Sequence, residues 1–263
     1  GHVKGGTRGA HGTSYAAPTV LRSAAHVRAH MGNQLTPLAI KSLLVHRCEP
    51  ADWPMHEIGW GRLAPSLDDL LTCGPDEALV VYQGTLDPAK WLRMAAPLPQ
   101  AQFKGMVEIT ATFCFASATD PQDPISYTRS GLEIRFRPHA KKFDKKAVAK
   151  AKAEGRPHPQ PVTKSFFGED KEYASEHKRR DDAQKWETTL RGHRRMRGSS
   201  LLSPVFDLHY IPREGGGQPN QPERIPYALI VTVRAEDAYN LVARAFQGVL
   251  EPLTPVIEIP IRA

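Results

Sequence analysis

Apolar residues from Ser14 onward recur at helical spacing. Ala17, Val20, Leu21, Ala24, Val27 and Met31 fall on one stripe, while Thr19, Arg22, Ser23, His26 and His30 fall on the opposite one. Pro18 fits a first helical turn, where its missing N–H has no partner to lose. Gly32-Asn33 supplies a stop. A second helix opens at Thr36-Pro37: the threonine oxygen can accept from an orphan amide, and the proline is preset for the first helical position. Ile40, Leu43 and Leu44 form its apolar face. Residues 58–64, with Gly59-Trp60-Gly61, read as a tight strand or turn leading to a short helix over 66–71, and Cys73-Gly74-Pro75 marks a boundary.

Beyond Pro75 the pattern shortens to runs of β-branched and aromatic residues. Residues 78–82, 106–115, 132–136, 205–210, 227–233 and 256–261 are predicted as strands, and 238–246 as a short helix. Strands separated by turns predict a β-sandwich, with jelly-roll-like order as one option. Residues 140–198 break this rhythm. They hold a lysine-alanine stretch, a proline-rich piece (156–161) and a highly charged stretch (171–185), and are read as an exposed, partly helical insertion. Gly215-Gly216-Gly217 reads as a loop.

Charge sharpens this division. The net charge is +7, yet 140–198 alone carries 17 Lys/Arg against 9 Asp/Glu, which leaves the rest close to neutral. A local basic excess can attract an acidic partner. His193-Arg194-Arg195-Met196-Arg197 has no accompanying nucleic-acid-binding motif, so it is read as a solvated charged face and no nucleic-acid partner is expected. Three cysteines, Cys48, Cys73 and Cys114, are too few and too scattered for a disulfide framework, and they fit a reducing compartment such as the cytoplasm slightly better. No apolar run approaches the roughly eighteen residues a membrane helix needs. No set of His, Cys, Asp and Glu has metal-site spacing, and no cofactor is expected.

The residues that carry chemistry are Gly12-Thr13-Ser14-Tyr15-Ala16-Ala17-Pro18. A serine where a glycine-rich loop enters a helix lies on a tight turn. Its backbone N–H points outward at the positive end of the helix dipole, which favours a developing oxyanion. Most serines so placed are simple caps. These seven residues together, however, resemble the Gly-Thr-Ser-x-Ala-x-Pro signature around the nucleophile of the subtilisin-like serine proteases, the subtilases. The elements that follow match in order as well: the long helix from Ser14, the Thr36-Pro37 helix, the Gly59-Trp60-Gly61 segment and the helix at 66–71. The resemblance covers about residues 9–73.

The resemblance implies an acyl-enzyme formed on Ser14 during peptide-bond hydrolysis. In subtilases the Asp, the His and the oxyanion Asn precede the serine by long stretches. Only thirteen residues precede Ser14 here. His11 is read as a loop residue, since the sequence after it follows the serine motif and not the histidine motif. The expected fold is therefore an α/β fragment over 1–75, the C-terminal part of a subtilase parallel-sheet domain, followed by a mainly β, sandwich- or jelly-roll-like domain over 76–263. The implied partners are a protein or peptide substrate and the missing N-terminal part of the catalytic domain. The run from Tyr227 to Arg262 is similar to bacterial subtilases encoded beside an AAA+ ATPase in phage-defence operons, which implies such an ATPase as a further partner. A pseudoprotease or adaptor that binds an acidic partner or nucleic acid through the basic insertion is the alternative.

Overall fold

Strand parity sorts the side chains of the β-rich part into an inner and an outer set. On β3 (Met106–Phe115), Val107, Ile109, Ala111, Phe113 and Phe115 share one face. On β7 (Ile225–Ala235), Ile225, Tyr227, Leu229, Val231, Val233 and Ala235 do the same. Successive side chains of a strand point to opposite faces, so each set forms one wall of a core. The facing wall comes from Met94 on β2 (Trp91–Ala95), Leu132 and Phe136 on β4 (Ser130–Arg137), and Phe206 and Leu208 on β6 (Val205–Pro212).

The structure is a computed structural model and describes residues 12–50, 52, 59–88, 90–98, 105–119, 128–139, 142–155, 161–167, 187–212 and 223–235. It shows a mixed α/β protein, mostly strands, with two antiparallel sheets. One has the order β1-β7-β3-β5, where β1 is Glu77–Leu86 and β5 is Thr189–Arg197; the other has the order β2-β6-β4. The strands predicted over 78–82, 106–115, 132–136, 205–210 and 227–233 lie within β1, β3, β4, β6 and β7. The helix predicted over 238–246, the strand predicted over 256–261, the loop at 215–217, the charged stretch 171–185 and His11 lie outside the described residues.

Two strands escaped the sequence reading. β2 is short. β5 lies inside the stretch read as an exposed insertion and pairs along its whole length with β3. Its inward positions are Leu190, Gly192, Arg194 and Met196, so no apolar alternation is visible. The reason is a crossing segment. Residues 161–167 run over β5 on the core side and place Phe166 against Phe136 and Phe206. Arg194 donates to the Ser165 carbonyl, and a Cβ on Gly192 would come within 2.4 Å of the Phe166 carbonyl oxygen. The crossing is tied down further where Lys164 donates to the Phe136 carbonyl and Arg137 to the Pro161 carbonyl. The rest of the described insertion is partly helical, with α4 at Lys145–Ala153 capped by Asp144.

Helices cover the outer face of the first sheet. α1 (Thr13–Met31), α2 (Pro37–His46) and the short α3 (Leu67–Leu71) fall where the apolar period places them, and Thr36 and Ser66 accept from first-turn amides as caps. Ile40, Leu43 and Leu44 of α2 bury against Ala228 and Ile230, the outward residues of β7, with Leu79 and Val81 of β1 beside them. Gly61 holds the connection close: a Cβ there would lie 2.0 Å from the Glu49 carbonyl oxygen, and its φ of 105° suits glycine.

The last residue of α2 fixes this layer to the sheet. His46 is 4% exposed. Its Nδ1 lies 2.9 Å from Thr112 Oγ1 of β3, and its Nε2 lies 2.7 Å from Thr232 Oγ1 of β7. Burial, with the nearby Arg47 and Arg191 guanidiniums, lowers its pKa to about 3, so the ring is neutral and one nitrogen donates while the other accepts.

An unfolded histidine takes a proton near pH 6.5 and the folded one near 3, so the unfolded state binds the extra proton between those values. Stability must therefore fall with acidification across that window, by up to about 1.4 kcal/mol per pH unit. Denaturant melts between pH 4.5 and 6.5 should show this slope in the wild type and lose it in His46→Gln. Gly192→Ala should cost about 1–3 kcal/mol at neutral pH in the same assay, because backbone must shift to admit the methyl group.

Candidate active site around Ser14

Glycine at position 12 allows the sharp entry into α1. Gly12 is the N-cap with φ 149°, and no side chain caps the helix. Its carbonyl accepts from the amides of Tyr15 and Ala16 at 3.1 and 3.2 Å. The amides of Thr13 and Ser14, one turn too early for a helical acceptor, have none among the described residues. Ser14 is thus the second residue of a 19-residue helix, exposed, at the positive end of its dipole. The first turn holds no acidic side chain to compete for that field.

Pro18 does not sit in the first turn, as the sequence reading had it. The helix begins at Thr13, so a residue at 18 would ordinarily donate its N–H to the carbonyl of Ser14. Proline cannot, and the Ser14 carbonyl loses its helical donor. The hydroxyls of Thr19 and Ser23 bond back to the carbonyls of Tyr15 and Thr19, at 3.4 and 3.3 Å. The start of α1 is therefore held by fewer main-chain bonds than an uninterrupted helix of its length.

Only the C-terminal end of α1 is packed. Val27 and Met31 are buried and Ala24 is partly so, against α2 and α3. Val20, on the same stripe, is 43% exposed, Leu21 is 70% exposed and Tyr15 is 66% exposed. Around the serine the apolar side of the helix therefore faces solvent.

No base is joined to this hydroxyl among the described residues. His26 lies twelve residues along the same helix, about 18 Å away by the helical rise. His46 has both nitrogens engaged by threonines. His193 lies 3.0 Å from Thr110 Oγ1, and His209 pairs with Glu133 at 3.1 Å and stacks on Trp91. Burial alone would raise the Glu133 carboxyl, but hydrogen bonds from His209 and Arg135 outweigh it and hold the pKa at about 2. The three cysteines are free; Cys114 is buried and Cys73 is exposed. No cluster of metal-ligand type is found among the described residues, and no helix there is long and apolar enough to cross a membrane.

A second polar site went unnoticed in the sequence. Arg47, Glu77, Glu108, Arg191 and Arg234 line a cleft of about 180 Å³ beside His46. The one available signal was a histidine ending the apolar face of the second helix, in Leu43-Leu44-Val45-His46.

No family model matches the chain, and no curated protein matches it. Among solved structures it is similar to the infectious bursal disease virus VP2 subviral particle, at 8% identity over 68% of this chain and 35% of that one, with a TM-score of 0.30. A structure of the infectious bursal disease virus Gx strain shares 12% identity over 64% of this chain and 33% of that one, with a TM-score of 0.26. The chain spans about a third of the length of these structures. Likeness at this level carries no functional inference.

The uneven packing of α1 sets an expectation for mutagenesis. Leu21→Lys should change stability by no more than about 0.5 kcal/mol, as at any exposed position. Met31→Ala should cost about 2–5 kcal/mol by loss of buried contacts. Urea unfolding of both variants distinguishes the packed end of the helix from the open one.

Proposed function

We propose that this chain belongs to a serine endopeptidase of the subtilase type, in which Ser14 attacks a peptide carbonyl and carries the acyl group. The observation that supports this most is the coincidence of the Gly12-to-Pro18 motif with an exposed serine at a helix mouth, whose amide has no acceptor among the described residues. The amide and the helix dipole would stabilise the oxyanion of the tetrahedral intermediate. The Asp and His, with the Asn that completes the oxyanion hole, would come from the N-terminal part of the catalytic domain. That part would also cover Tyr15, Val20 and Leu21, the apolar residues left open beside the serine. Its arrival would supply the base and hold the start of α1, where Pro18 has removed a hydrogen bond.

In this reading residues 1–75 are the end of a parallel-sheet domain and residues 76–263 an accessory jelly-roll-like sandwich. The interleaved strand orders β1-β7-β3-β5 and β2-β6-β4 support the second part, since they place sequence-distant strands side by side as a jelly roll does. A protein or peptide is the substrate, and an AAA+ ATPase is the proposed partner that would deliver or unfold it. A second reading, an adaptor for an acidic partner, draws on β5, whose residues Arg191, His193, Arg195 and Arg197 share the outer face of the first sheet.

Loss of the triad in subtilisin lowers turnover about 10⁶-fold. The 263-residue chain alone should therefore neither hydrolyse peptides nor label with a fluorophosphonate. Joined to a catalytic Asp and His it should label at Ser14, and Ser14→Ala should abolish both labelling and hydrolysis without lowering the melting temperature. Turnover that survives Ser14→Ala removes this residue from the mechanism.

A further inference from the structure

The outer face of the first sheet is divided crosswise. Under α2 it is apolar, through Ala228, Ile230, Leu79 and Val81. Past the C-terminal end of α2 the same strands turn polar on that same face. β7 presents Thr232 and Arg234 there, in alternation with the core residues Val231 and Val233. β3 presents Glu108 and Thr110 there, in alternation with the core residues Val107, Ile109 and Ala111, and β5 adds Arg191 opposite Thr112. The cleft lies on this polar half, floored by sheet and closed on one side by His46 and Arg47.

The charges of the cleft are answered with one exception. Arg47 bonds Glu77 at 2.7 Å and the Thr72 carbonyl at 3.0 Å. Arg234 bonds Asp76 at 2.9 Å. Glu108 lies 3.7 Å from Arg195. Arg191 makes no hydrogen bond and no ion pair with any described residue. Its guanidinium is half-buried, and burial pulls its pKa down against a small opposing effect of Cys48. His46 adds no charge, being neutral with both nitrogens occupied. A half-buried cation that no described carboxylate answers, in an open polar cleft, is partly stripped of water and gains from an anion that joins it.

We propose that this cleft is a carboxylate-binding site and that Arg191 holds the ligand through its guanidinium fork. The fork presents paired donors matched to a planar carboxylate. The volume of about 180 Å³ is that of roughly six waters, enough for a carboxylate and a few attached atoms. Three guanidiniums face two carboxylates in the lining, an excess of one positive charge that suits a monoanion better than a phosphate. The source is a free carboxylic acid or the carboxylate of a peptide. The site is independent of Ser14 and stands under either functional reading.

The test is an NMR titration of the full chain with acetate at constant ionic strength in chloride, with inorganic phosphate and a short peptide bearing a free C-terminus as further arms. Acetate or the peptide should move the Arg191 Nε–Hε signal and the amides of Cys48 and Thr110 saturably; the tighter of the two identifies the source. Affinity read from those amides should drop about tenfold or more in Arg191→Gln, the loss of a charge-assisted hydrogen bond. Arg191→Lys keeps the charge without the fork and should fall between. Neither variant should melt more than slightly below the wild type in chloride, because Arg191 makes no hydrogen bond or ion pair with the described residues. Non-saturating shifts, undiminished affinity in both variants or tighter binding of phosphate than of acetate overturns the proposal.

Discussion

From Tyr227 to Val233 β7 is buried on both faces, and the other layers are organised around that fact. Its odd-numbered residues from Ile225 to Ala235 enter the core between the sheets, while Ala228 and Ile230 enter the core under the helices. A strand covered on both sides has no solvent face on which to place polar groups, so its sequence becomes a nearly continuous apolar run. The single interior exception, Thr232, is answered by His46. The helices of the first seventy residues and the sandwich that follows therefore share a strand. The motif-bearing helix is anchored to the β-rich part through α2, so the seat of its packed C-terminal end rests on a strand about two hundred residues later in sequence.

This sharing explains what the sequence disclosed and what it concealed. Three helices and five strands were legible because their burial is one-sided or total, and both patterns leave a plain trace in the order of apolar residues. β5 was concealed because its inward positions meet a crossing segment and not a second sheet. Gly192 and Arg194 serve that crossing, one by lacking a side chain and the other by bonding a carbonyl, and neither reads as core. β2 is five residues long, with only Leu92 and Met94 turned inward, too little for a period to emerge.

The candidate sites divide in the same way. Ser14 was legible because its motif is contiguous, and a local turn carries most of its geometry. The proline four residues on was misplaced, since the register of a helix start is a matter of one or two residues that no pattern fixes. The cleft around Arg191 was not legible. Its lining comes from α2 and four strands, and only the pairing of those strands brings Arg47, Glu77, Arg191 and Arg234 together.

The bridge from Thr112 through His46 to Thr232 also bears on which misfolded arrangements the chain avoids. Displacing β7 by two residues against β3 would keep every apolar side chain on its proper face, so burial alone discriminates poorly against that error. The imidazole spans a diagonal: Thr112 lies opposite Ile230, and Thr232 lies opposite Thr110. In the slipped pairing Ile230 or Arg234, according to the direction of the slip, would take the place of Thr232 at the ring nitrogen, and the threonine hydroxyl would be stranded elsewhere. A single side chain from a neighbouring helix thus acts as a proofreader of strand alignment, penalising an arrangement that the hydrophobic pattern would accept.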